Sequence, residues 1–236
     1  MKLYLLILCF ACIRVNAAEI TIVTEVFPDF QYIDSNGQLA GRSVDKVKKA
    51  LDTTDIKYSM SANSWAVSYN AVLRDKHTCI FSIVKLPNRE DKFSWVAELE
   101  SFDSAIYALK SRNIRLNTLN DAKNYKTAVL RDNFSHHYLL ERGFSETKNL
   151  LIIDSLDKID KLISTRHNIL DFVILSNKQF NFRAKREPKL KLLEPVLNLN
   201  THQSPLYFAC NKNMPQSLQD RLALAFDEAK KKNKQR

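Results

Sequence analysis

Glycine is scarce in this chain, with three in 236 residues. Two of them punctuate structure. Gly37 follows Asn36 in an Asn-Gly pair, a strong tight-turn signal between FQYID and QLAG, and Gly143 stops the helical run SHHYLLERG. Catalytic signatures are absent as well. There is no G-x-S-x-G elbow to present a nucleophile. Without a CxxC or HExxH motif no metal site is expected, and the adjacent His136 and His137 have the wrong spacing to ligate from one helix face. Beyond the first residues no apolar run reaches the roughly 18 residues of a membrane-spanning helix. Of the four cysteines, Cys9 and Cys12 lie in the N-terminal apolar run, which leaves Cys79 and Cys210. Those two are far apart in sequence and nothing in the pattern brings them together. Buried thiols are the expectation and a disulfide the alternative.

What is present starts with a leader. Lys2 gives a positive start, Leu3 to Ile13 is apolar, and Val15-Asn16-Ala17-Ala18 offers small residues for cleavage, the arrangement of a secretory signal peptide. Ala11-Cys12 sits inside the apolar run, so it does not read as a lipoprotein site. The mature chain is expected to begin at Ala18 or Glu19 and to be periplasmic. The net charge is +10, and removal of Lys2 and Arg14 with the leader lowers it by two, to +8. The remaining basic residues are scattered among acids, apart from the tail KKKNKQR. No nucleic-acid partner is expected, and an anionic or zwitterionic small molecule or a membrane surface fits better.

The periodicity then reads as two α/β units. Strands are predicted at Ile20–Thr24, Ile56–Met60 and Thr78–Val84. They are separated by a helix capped by Ser43, with Val44, Val47 and Leu51 on its inner face, and a helix opened by Ser64 that carries Tyr69, Val72 and Leu73. Strand–helix–strand order implies parallel pairing with crossover helices. The second unit has an apolar run at Phe102–Leu109 and strands at Tyr125–Leu130, Leu150–Ile153 and Ile169–Leu175. Its helices are capped by Ser135 and by Ser155 (LDKIDKLIS). A last strand at Pro205–Cys210 and a helix opened by Ser217 and Asp220 are left over. Two lobes joined by two crossing strands account for that remainder.

These segments, in this order, resemble the type 2 periplasmic solute-binding proteins, in particular family 3, the polar amino acid-binding class served by ABC transporters. The likeness runs through Thr24, Glu25, Pro28 and Phe30, then Asn36, Gly37, Leu39, Gly41, Val44 and Asp45. It continues with Trp65 before the second helix, Pro87, Arg89 and Phe93 in PNREDKFSWV, and SPLYFACNKN ending at Lys212. The resemblance implies a two-lobed fold whose lobes each hold a mixed, mostly parallel sheet with flanking helices. It implies lobe 1 over residues 19–103 and 207–236 and lobe 2 over 104–206, after a leader at 1–18. It also implies a monomer without a cofactor that closes on a small carboxylate-bearing solute and passes it to a membrane ABC permease or a sensor.

The same resemblance assigns roles. Arg89 is expected to grip the ligand carboxylate, which suits the rigid fork of a guanidinium; a solvated turn charge is the alternative reading of this residue. Its removal is expected barely to change the stability of the empty protein. Ser82 is expected near the same carboxylate. Asn133 and Ser135 open a lobe-2 helix toward the ligand, where free amides favour an anion. Trp65 and Phe30 are candidate aromatic walls, each with a core position as the alternative, and Phe27 shares that ambiguity. Glu25 is a candidate partner for a ligand cation. Departures occur at Lys85 and Leu86, where a hydroxyl contact is missing, and at Asp29. Ser176 stands where relatives carry an acid for the ligand ammonium, the nearest acid being Asp171. An enzyme on the same fold, like the dehydratases of cyclic precursors to aromatic amino acids, is the second class, with Glu25 as its one candidate acid.

Overall fold

The structure, a computed structural model, describes residues 19–155, 159, 162, 165, 169–199 and 205–234. The signal-like leader lies outside the described residues, and the helix expected over LDKIDKLIS lies outside them except at Ile159 and Leu162.

Two five-stranded sheets make two lobes. In lobe 1, β1 (Glu19–Glu25) pairs in parallel with β4 (Lys57–Asn63) and β5 (Thr78–Val84). β12 (Pro205–Asn211) runs antiparallel between β5 and β6 (Phe93–Ser101). Every residue of β5, TCIFSIV, is buried, as a run this rich in apolar residues suggests for a strand covered on both faces, and Thr78 and Ser82 are buried with it. α1 (Arg42–Leu51) and α5 (Gln216–Lys234) cover one face through Val47, Leu51, Leu222 and Phe226. α2 (Trp65–Arg74) covers the other through Trp65 and Val72. A small hairpin, β2 (Tyr32–Ile33) and β3 (Leu39–Ala40), projects from the end of β1.

Lobe 2 has the order β11-β7-β10-β8-β9. β8 (Thr127–Leu130), β9 (Leu150–Ile153) and β10 (Phe172–Ser176) are parallel, β7 (Ser104–Leu109) runs against them, and β11 (Leu193–Leu199) pairs antiparallel with β7 and so runs in their direction. α3 (Phe134–Leu140) follows β8 and α4 (Asn177–Ala184) follows β10. The chain passes from one lobe to the other between β6 and β7, through Phe102 and Asp103. Asp103 is tied to α4, accepting from the Asn177 side chain at 2.7 Å and, through its carbonyl, from the Asn177 amide at 3.2 Å.

Local predictions needed correction at several helix starts. α1 begins at Arg42 with Gly41 as its N-cap, and Ser43 is buried within the first turn. Gly41 has φ +124°, and a Cβ there would lie 2.4 Å from the Phe30 carbonyl oxygen, so only glycine fits. α3 is capped by Asn133, whose side chain accepts from the His136 amide, and Ser135 lies inside the helix. α5 starts at Gln216, one residue ahead of Ser217. Three elements carried no clear sequence signal: β6, β11 and α4. Each presents a mixed polar and apolar face, so neither alternation nor helical spacing stands out.

The cysteines are the largest correction. Cys79 and Cys210 face each other across the antiparallel β5–β12 pair and form a disulfide, 131 residues apart in sequence.

Candidate ligand-binding cleft

A cavity of about 70 Å³ lies where the two lobes meet. Lobe 1 contributes Glu25, Trp65, Ser82 and Arg89, and lobe 2 contributes Ser104, Asn133, Ser135 and Ser176. Phe27, Phe102 and Phe134 supply aromatic wall. Seven of the eight residues singled out in the sequence therefore surround one space. Phe30 does not; it is fully buried behind Phe27, its ring centroid 4.8 Å from that of Phe27, with the Arg42 guanidinium 4.4 Å above it.

Arg89 explains how PNREDKFSWV leaves a buried strand. Pro87 opens a single 3₁₀ turn, Pro87–Arg89, which returns the guanidinium beneath the sheet end. The side chain is only 2% exposed, so the solvated-turn alternative does not hold. Its Nη1 donates to the Val84 carbonyl at 3.2 Å and its Nη2 to the Asp132 carbonyl, in lobe 2, at 2.6 Å. The guanidinium lies 4.9 Å from the Trp65 ring centre and 5.5 Å from that of Tyr69. Burial pulls its pKa down to about 10, with the charge of Glu25 among the groups opposing that fall, so it stays cationic at neutral pH.

Asp132 is the other half of the seam. It has φ +56°, a left-handed backbone that asparagine and aspartate tolerate better than most residues. Its carbonyl accepts from Arg89 and also from Trp65 Nε1 at 3.0 Å, and its amide donates to His136 Nδ1 at 3.1 Å. Trp65 is thus wall and core at once, 6% exposed and packed with Val23, Val72 and Ile80. Further contacts across the seam join Phe102 to Phe134, Tyr32 to Phe182, and the Asn88 side chain to His137 Nδ1 at 3.3 Å.

Ser82 reaches the cavity with φ +61°, but its hydroxyl donates to Gln31 Oε1 at 2.8 Å. Gln31 Nε2 in turn donates to the Thr24 hydroxyl, which donates to the Phe81 carbonyl. This buried chain of side chains fixes the end of β1 against β5, a role that the motif beginning at Thr24 did not assign to it and that nothing in the sequence marked for Gln31. In lobe 2, Asn133 Oδ1 accepts from the Ser135 hydroxyl at 2.8 Å as well as from the His136 amide. The start of α3 is therefore already capped by its own side chain. Ser176 Oγ caps α4 by accepting from the Gln179 amide at 3.0 Å. Asp171 is ion-paired with Arg112 and does not line the cavity. Among the described residues on the wall, Glu25 is the only carboxylate and Arg89 the only cation; Ser104 and Gln179 complete its polar lining.

The model of the bacterial extracellular solute-binding proteins, family 3, matches residues 20–235. The chain belongs to that family. No curated protein matches this solute-binding protein in sequence. Solved structures similar to it include a histidine kinase sensor domain with similarity to periplasmic binding proteins, at TM-score 0.78 and 19% identity over 92% of each chain. An ancestral arginine-binding protein bound to arginine has TM-score 0.78 and 19% identity, covering 91% of this chain and 93% of its own. A structure from work on glutathione import through GshT and the cystine ABC importer of Streptococcus mutans has TM-score 0.74 and 17% identity, covering 92% and 90%. At these identities the likeness establishes the fold, a two-lobed periplasmic-binding-protein architecture. No described helix of this solute-binding protein is long and apolar enough to cross a membrane.

Proposed function

We propose that this protein is a periplasmic receptor, exported by a cleaved leader, that closes its lobes as a monomer on a small carboxylate-bearing solute and delivers it to an ABC permease. The observation that carries this reading is Arg89, a buried cation on the cavity wall at the seam between the lobes. A guanidinium has five N–H donors, and the two backbone carbonyls it meets leave donors for a carboxylate entering the cavity. Trp65, Glu25, Ser82, Asn133, Ser135 and Ser176 are proposed to contact the solute around it. Binding and closure are then one event, because the Arg89–Asp132 contact and the ligand share the same seam.

A sensory role is the second reading, favoured by the likeness to a histidine kinase sensor domain. A catalytic role has less support, because the lining of the cavity holds one carboxylate, Glu25, and no second carboxylate or histidine among the described residues.

Native mass spectrometry of the protein purified from its own cells identifies the bound solute and, at the same time, the mature N-terminus, expected at Ala18 or Glu19. Calorimetric titration with that solute should then show Arg89→Ala losing ~2–5 kcal/mol of binding, more than a tenfold loss of affinity. Arg89→Lys should recover only part of it, since a point charge lacks the fork. Unchanged affinity in Arg89→Ala would overturn the carboxylate assignment. Uptake of the solute by cells lacking the protein should fall if it delivers, and stay normal if it only senses.

A further inference from the structure

The cleft holds a second cavity outside the one at Arg89, of about 750 Å³ against about 70 Å³. Its walls come from both lobes, with Pro28, Tyr32 and Asp34 on one side and Phe182, Arg183 and Arg186 on the other. Val26 and Gln179 line both spaces, so the two adjoin at these residues. Gln179 is 4% exposed.

The volumes limit what each chamber can hold. At about 70 Å³ the inner chamber suits a small group such as a carboxylate with its nearest substituents, and the outer one, at about 750 Å³, leaves room for a longer extension. Lobe 2 lines the inner chamber with Ser104, Asn133, Ser135, Ser176 and Gln179 and offers no carboxylate there among the described residues; the one carboxylate of that wall, Glu25, belongs to lobe 1, where its charge acts on Arg89. A hydroxyl satisfies a neutral amide but does not neutralise an ammonium. The outer chamber differs in chemistry. Arg183 is forked onto Glu187 by two 2.7 Å hydrogen bonds, and Asp34 Oδ1 accepts from the amides of Asn36 and Gln38 within its own turn. Arg186 is exposed, lies 4.0 Å over the Phe182 ring, and has no ion-pair partner among the described residues.

Resting on the carboxylate reading above, we propose that the two chambers form one elongated site for an N-acylated amino acid or short peptide that bears a second carboxylate. Its C-terminal carboxylate lies at Arg89, its amide lies beside Gln179 where the two spaces adjoin, and its acidic tail reaches Arg186. The Gln179 side chain, with one acceptor and two donors, matches the two faces of an amide. Arg186 gives the tail a charge partner at the rim.

N-succinylglycine, N-acetylglycine, glycine and glutamate, titrated calorimetrically against the full mature protein, test this. N-succinylglycine should bind at least about tenfold more tightly than glycine or glutamate. Arg186→Ala, a surface change, should weaken N-succinylglycine several-fold and leave N-acetylglycine unaffected. Gln179→Leu should weaken both N-acyl compounds; if that variant does not fold, Arg186→Ala alone decides. Free glycine or glutamate binding as tightly as N-succinylglycine overturns the inference. So does an Arg186→Ala variant that treats the two N-acyl compounds alike, or no binding of either one at millimolar concentration. A free amino acid that depends on Arg89 and ignores Arg186 would leave the carboxylate reading standing while removing this one. Loss of Arg89 without effect on N-succinylglycine would remove the carboxylate reading itself.

Discussion

At the residue scale, Arg89 has two tasks that its sequence position did not separate. Its expected role in binding is matched by a structural one, since it donates to carbonyls in both lobes. Arg89→Ala should therefore also lower stability, by ~1–3 kcal/mol for carbonyls left short of a donor, read as a shifted urea midpoint in the absence of added solute. An unmoved midpoint would restore the view from sequence that this residue matters only to the ligand. His137 sits close by, half-buried, with its pKa lowered from 6.5 first by burial and then by the charges of Arg89 and His136; Asp132 and Glu141 oppose the shift. The sign follows from linkage. Above 6.5 both folded and unfolded forms are neutral and the group is silent. As pH falls below 6.5 the unfolded chain takes up a proton that the folded one resists, so stability declines until the folded pKa is passed. His137→Gln should flatten that part of the stability profile between about pH 7 and 5. An equally steep decline in the variant would show that other groups cause it.

At the element scale, the start of α1 depends on a glycine. Gly41 must turn at φ +124° while its α-carbon approaches the Phe30 carbonyl. That contact places Phe30, and with it Phe27 on the cavity wall. Gly41→Ala should cost at least on the order of 1–3 kcal/mol from backbone strain alone, with the clash added, and should weaken binding through displacement of Phe27. Gly37, which also has positive φ, has open space around it. Its alanine variant should bear only the backbone penalty, which makes it the control. Equal denaturation midpoints for the two variants would argue against a special role for the close approach at Gly41.

At the scale of the whole molecule, the disulfide closes a loop that contains all of lobe 2. Cys79 and Cys210 lie on neighbouring strands of lobe 1, and the chain between them leaves for lobe 2 and returns. A cross-link over so long a loop restricts the unfolded chain strongly, by about 4–5 kcal/mol in the chain-entropy account. Reduction should therefore lower the melting temperature by many degrees. The Cys79→Ala/Cys210→Ala variant should still fold, because a chain of this size buries most of its apolar surface in its two cores. A melting temperature indifferent to reductant would contradict the first expectation, and an unfolded double variant the second.

What the sequence by itself determined is what local chemistry writes plainly. The largely apolar run of β5, the Asn-Gly hairpin, the helical faces of α1 and α5 and the spacing of Trp65 and Arg89 are each readable from a few neighbouring residues. Together with the resemblance they gave the two-lobed fold and most of the cavity wall. Only the tertiary structure decided the rest. Cys79 meets Cys210 because β12 returns beside β5 from another lobe, a pairing that periodicity cannot report. Asp132 became the acceptor for Arg89 and Trp65 through its backbone carbonyl, and a backbone group leaves no mark in the residue type. Gln179 and Arg186 entered the cleft on α4, a helix with no clear apolar stripe, because its place is set by β10 and by the tie between Asp103 and Asn177. Side chains that pack locally announce themselves in sequence. Groups that meet across a seam between lobes do so only once long-range burial has fixed both sides.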